Sequence, residues 1–93
     1  MGHTIYYNTS IQKWYGFKKF MRRVCSGVGY QLKEEKGTLI IFPQKRGGVE
    51  PLRIKKEGGD GFAKTNLIEP EHSIYLLILH SVSSFGSVSV WED

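Results

Sequence analysis

Ninety-three residues with 13 Lys or Arg against 9 Asp or Glu, a net charge of +4, make a small basic chain. Typical domains run to about 100–150 residues, so we read 1–93 as a single small α+β domain with one core and no second domain to frame an active-site cleft. The longest apolar run, Ile74 to Leu79, falls far short of the ~20 residues a membrane helix needs, the first seven residues lack the pattern of a signal peptide, and the lone Cys25 excludes an intrachain disulfide. Together these features predict a cytoplasmic protein with no membrane association.

Residues 3–7, rich in Thr, Ile and Tyr, read as a first strand. Thr9 and Gln12 have the spacing of a capping box, which predicts that a helix begins at once. Over 10–26, a period near 3.6 gathers Ile11, Trp14, Phe17, Met21, Val24 and Cys25 on one face, with Phe20 at its edge. Lys19, Arg22 and Arg23 fall on the opposite face. Gly27 is the expected left-handed stop, and Gly16 inside the helix implies close packing against another element.

From Val28 the period becomes two. Val28, Tyr30 and Leu32 alternate with polar residues, Lys36-Gly37 turns the chain, and Leu39 to Phe42 follows as a central strand. The segment Gln44 to Gly48 reads as a loop, and Leu52 with Ile54 marks another strand that has Pro51 near its start. The Gly-rich Glu57 to Gly61 reads as a flexible break, and 62–68 as a short strand. The last third admits two readings. Glu69-Pro70-Glu71 resembles a helix start over 70–82, but the following run is apolar all round and leads into the alternating Val88-Ser89-Val90. We therefore predict strands at 74–82 and 87–92 joined by a Ser/Gly turn. The resulting fold is α+β, an antiparallel sheet of about five to six strands with one amphipathic helix (10–26) packed on one face.

Charge is distributed unevenly. Residues 1–46 hold nine basic residues against two acidic, a balance of +7, whereas 47–93 hold four against seven, a balance of −3. Such asymmetry points to a surface that binds polyanions. Lys18, Lys19, Arg22 and Arg23 lie within two helical turns beside Tyr15, and Lys45 and Arg46 supply two further charges from a loop. Clustered cations neutralise phosphates and an adjacent aromatic can stack on a base, so this set is the candidate nucleic-acid or anion site. No RNA-recognition, helix-turn-helix or zinc-finger pattern accompanies it.

Other constellations carry less chemistry. Gly58 to Thr65 approaches a phosphate-binding loop, but Ala63 replaces the required second glycine and Pro70 follows too soon for a long helix. Glu69, Glu71 and His72 form the best acid–base or metal candidate, and the blander account is an exposed polar turn. His72 and His80 would be roughly 26 Å apart on a strand and could not share an ion, so no metal or cofactor is predicted. Cys25 lies on the apolar face as a packing residue, and no serine has the elbow that would activate it. The aromatic excess, including Tyr6, Tyr7, Tyr30 and Trp91, offers a second function: self-association or assembly through exposed rings or the edge of the Val88–Trp91 strand.

Overall fold

The computed structural model describes residues 2–43 and 47–93. The α+β class holds, but the strands divide into two antiparallel sheets and there are two α-helices. The order is β1 (Thr4–Ile11), α1 (Trp14–Val28), β2 (Gln31–Glu35), β3 (Thr38–Phe42), β4 (Leu52–Lys55), β5 (Gly59–Lys64), α2 (Glu71–Ser81), a 3-10 turn (Val82–Ser84) and β6 (Gly86–Glu92). One sheet has the order β5-β1-β6 and the other β2-β3-β4.

The first strand is longer than its composition suggests. Ile5, Tyr7, Thr9 and Ile11 alternate as buried residues along β1, each second side chain entering the core as the pleat requires. Thr9 therefore belongs to a strand and does not cap a helix. The amides of Gln12 and Lys13 both donate to the Phe85 carbonyl, at 3.1 and 3.0 Å, and α1 starts only at Trp14, without a side-chain cap. The helix buries Trp14, Phe17, Met21 and Cys25, the face expected from their spacing. It ends at Gly29, not Gly27, because Gly29 adopts the left-handed conformation (φ 79°) and sends its amide to Cys25 O. Gly16 sits beside the 3-10 turn's end, where an added Cβ would lie 3.4 Å from the Phe85 ring.

The segment expected to hold a strand over 74–82 is the helix α2. Its buried residues are Glu71, His72, Tyr75, Ile78 and Leu79, at helical spacing, whereas Leu77 is 70% exposed. The start is fixed locally: the Glu69 carboxylate accepts the Ser73 amide at 2.9 Å and the Ser73 hydroxyl at 2.7 Å. This satisfies a first-turn N–H that the helix cannot pair by itself. Tyr75 is fully buried and its hydroxyl donates to Glu50 O at 2.6 Å, tying α2 to the approach to β4. Burial, with Tyr30 and Glu71 nearby, pushes its phenol well above the ordinary tyrosine range.

Two sheets form because β4 and β5 separate. Their ends touch: Gly58 N donates to Lys55 O at 3.0 Å and Glu50 N to Lys64 O at 2.9 Å. Between those points the Tyr7 ring lies across Gly61, its cross-strand partner on β5. The Tyr7 hydroxyl then donates to Arg53 O at 2.6 Å, so this β4 carbonyl is satisfied by a phenol instead of a neighbouring strand. The Gly-rich 57–61 segment is thus half turn and half strand. Glycine is required at 61 because any Cβ there would collide with Tyr7. The inner faces of both sheets and both helices meet in one cluster that includes Ile5, Tyr7, Phe17, Met21, Ile41, Leu52, Ile54 and Leu79.

Candidate polyanion interface

The solvent face of α1 presents Tyr15, Lys19, Arg22 and Arg23, all exposed, with Lys18 half-buried at its border. The periodicity that buries Trp14, Phe17 and Met21 leaves these positions pointing away from the core, so one pattern builds both the packing and the charged surface. Lys45 and Arg46 lie outside the described residues.

The tertiary structure adds cations that spacing alone did not associate with this helix. A groove of about 370 Å³ runs between α1 and β2, and Lys18, Arg22, Ser26, Lys33 and Glu34 line it, with Leu32 and Leu39 among its apolar residues. Lys18 Nζ pairs with Glu34 Oε1 at 3.0 Å across the groove, which offsets part of the charge at that end. Arg22 faces the same space, whereas Lys33, though it borders the groove, carries its Nζ over the Phe42 ring, 5.8 Å from the ring centre. Cys25 also reaches the groove but is 2% exposed, and burial pushes its thiol above the ordinary range, the opposite of what a nucleophile needs.

Tyr15 is the second element of the surface. It is 72% exposed, with Lys18 Nζ 5.1 Å and Lys56 Nζ 5.5 Å from its ring centre. Lys56 reaches it because its amide donates to Gly37 O at 2.7 Å, which draws the end of β4 against the β2–β3 turn. An exposed ring flanked by two ammonium groups can meet a base face while its neighbours meet phosphates. Lys56 lies in the turn after β4, and nothing in the linear order places it beside α1.

The proposed acid–base trio is dispersed. Glu69 caps α2, Glu71 is buried with the Tyr30 hydroxyl 3.5 Å from Oε2, and His72 turns instead toward Glu92 and His3. His80, on α2, is exposed. A third cluster, unconnected to the basic groove, joins His3, His72 and Glu92.

The outer face of the β5-β1-β6 sheet carries a row of aromatics. Tyr6 pairs across strands with Phe62 on one side and Trp91 on the other, its ring 6.4 Å from Phe62 and stacked at 6.1 Å on Trp91. Phe62 and Trp91 are 63% and 50% exposed. Asp60 and Asp93 sit near this row, accepting from Asn8 and Tyr6. Among the described residues no helix is long and apolar enough to cross a membrane. Comparison with protein-family models, with curated proteins and with solved structures finds no match to this chain.

Proposed function

We propose that this chain is a small non-enzymatic module, cytoplasmic in setting, that binds a polyanion, most naturally single-stranded nucleic acid, through the α1–β2 groove. The observation that carries the reading is the pair Lys18 and Arg22 lining one groove, with the exposed Tyr15 beside it and the ammonium groups of Lys18 and Lys56 both near its ring. Groups from the helix and from the β4–β5 turn contribute, which supports the reading. The mechanism is phosphate neutralisation with release of counterions, with a base stacked on Tyr15 and no element for reading base edges.

Fluorescence anisotropy of labelled single- and double-stranded oligonucleotides across a salt series tests it. Contact with about four phosphates gives a log–log slope near −3, and each cation removed flattens the slope by about one. Arg22→Gln and Lys56→Gln should each show that flattening with the far-UV spectrum unchanged. Tyr15→Ala should weaken single-strand binding more than duplex binding. Affinity and slope unchanged in both charge variants refute the reading.

A second reading rests on the Phe62–Tyr6–Trp91 row. Contiguous exposed aromatics on a sheet face, next to the free edge of β6, suit a contact with another protein or a second copy of the chain. Sedimentation equilibrium over a wide concentration range tests the homodimer form; a monomer mass throughout removes it.

A further inference from the structure

We propose that His3, His72 and Glu92 form a binding site for a divalent transition ion of the zinc class. The three residues come from three separate elements: the residue before β1, the first turn of α2 and the last position of β6. His3 Nε2 lies 2.8 Å and His72 Nε2 2.9 Å from the same oxygen, Glu92 Oε1. One ligand atom from each residue falls within 4.8 Å of the others. The two imidazoles meet edge to face with their centroids 5.2 Å apart, so both Nε2 atoms address one point without the rings stacking over it.

Two imidazoles and a carboxylate are a donor set suited to zinc and its neighbours, with a fourth position left for water. Metal–ligand bonds of about 2.0–2.1 Å in tetrahedral array place the ligand atoms about 3.3 Å from one another. The present nitrogen–oxygen separations need to open by only a few tenths of an ångström. Glu92 can supply this movement, because its side chain is 38% exposed while that of His72 is only 7% exposed.

The surroundings hold each ligand in place. His3 precedes its strand, yet its backbone is anchored: its carbonyl accepts from Thr65 N at 2.9 Å and Asn66 N at 3.0 Å, and its amide donates to Asn66 Oδ1 at 3.3 Å. Glu92 is fixed by the following amide, Asp93 N, which donates to Thr4 O at 3.1 Å. His72 Nδ1 lies 2.7 Å from the hydroxyl of Thr65, a fully buried residue. A metal on Nε2 requires the proton on Nδ1, and that hydroxyl can accept it, giving His72 the outer partner that metal-bound histidines use to hold ring and tautomer. Ordered backbone, a locked buried imidazole and one adjustable carboxylate make a preorganised site. It shares no residue with the basic groove and does not depend on the polyanion reading.

The test is isothermal titration of untagged, chelator-treated protein with Zn²⁺, paired with Co²⁺ absorption. The expected result is one ion per chain, a Kd of micromolar or tighter, and a visible Co²⁺ spectrum without the thiolate charge-transfer band that Cys25 would add. His3→Gln and Glu92→Gln alter the less buried ligands and leave the core intact; each should weaken Zn²⁺ at least tenfold with an unchanged far-UV spectrum. His72→Gln is read only alongside these two, because a buried position risks the fold. No saturable binding, or full affinity retained in either His3→Gln or Glu92→Gln, overturns the proposal. The three residues then form only a hydrogen-bonded brace.

Discussion

Replacing Gly61 with alanine tests the account of why the sheet splits. The added Cβ would lie 2.5 Å from Tyr7 Cε2 and 2.8 Å from its hydroxyl, against an ordinary carbon contact of about 3.5–4.0 Å. The ring would need to retreat by roughly 1 Å. Tyr7 is 3% exposed, so retreat means repacking against the core and losing the 2.6 Å bond to Arg53 O. Overpacking of this kind costs about 1–3 kcal/mol and the lost hydrogen bond about 1 kcal/mol more. Removing a glycine from the unfolded chain returns about 0.4–1 kcal/mol. The net loss is roughly 1–3 kcal/mol, or about 5–20 °C in Tm for a domain of this size. Urea unfolding followed by the fluorescence of buried Trp14 would measure it. Tyr7→Phe should lose about 1 kcal/mol alone, and Gly61→Ala should cost at least ~0.5 kcal/mol less in that background, because the hydroxyl bond is already gone. Stability equal to or above wild type for Gly61→Ala would refute the crossing of Tyr7 over Gly61.

Two further perturbations probe α2. On a strand, residues 77 and 79 share a face, whereas on a helix they do not; Leu77→Lys should therefore stay within about 0.5 kcal/mol of wild type, while Leu79→Ala, at a fully buried position, should lose about 2–5 kcal/mol in urea unfolding. Equal effects would return the segment to a strand. The Ser73 amide and hydroxyl hold the Glu69 carboxyl below the ordinary glutamate value; a depressed folded value contributes stability above the unfolded pKa and loses it as pH falls through the folded one. The stability difference between wild type and Glu69→Gln should thus be present at neutral pH and vanish in acid, and a difference independent of pH would disprove the capping role.

What the chain discloses before folding depends on whether a signal is local. The buried face of α1 was legible because Trp14, Phe17, Met21 and Cys25 repeat at helical spacing. Its start was misplaced because Ile11 fits a helix face and a strand face equally and Thr9 fits a cap as well as a strand, and only the strand pairing Thr9↔Gly59, Thr9↔Val88 and Ile11↔Gly86 decides. The helix α2 was hidden by Leu77, an apolar residue left on the solvent side, which erases the amphipathic contrast. Its cap, Glu69 to Ser73, was in plain view four residues apart. The strand β5 was obscured by glycines that make sense only once Tyr7 lies over one of them. The candidate site divides in the same way. The α1 cations follow from helical geometry, whereas Lys56 joins them through the turn after β4, and His3 and Glu92, distant in sequence, meet at His72.

The two sheets also differ in how far apart along the chain their partners lie. The β2-β3-β4 sheet joins strands that follow one another, with short connections such as the Lys36-Gly37 turn. In the other sheet the middle strand comes first in the chain order, and its neighbours lie at residues 59–64 and 86–92. Closing those long loops costs entropy before any contact offsets it, so the meander is expected to assemble before β1 finds its partners. Pulse-labelled hydrogen exchange would record that order as protection of β3 amides ahead of those of β1. Until β1 is enclosed, Tyr7 has no Gly61 to lie across and the seam between the sheets does not yet exist. If the exchange order is as expected, the two-sheet architecture is set in the last step of folding.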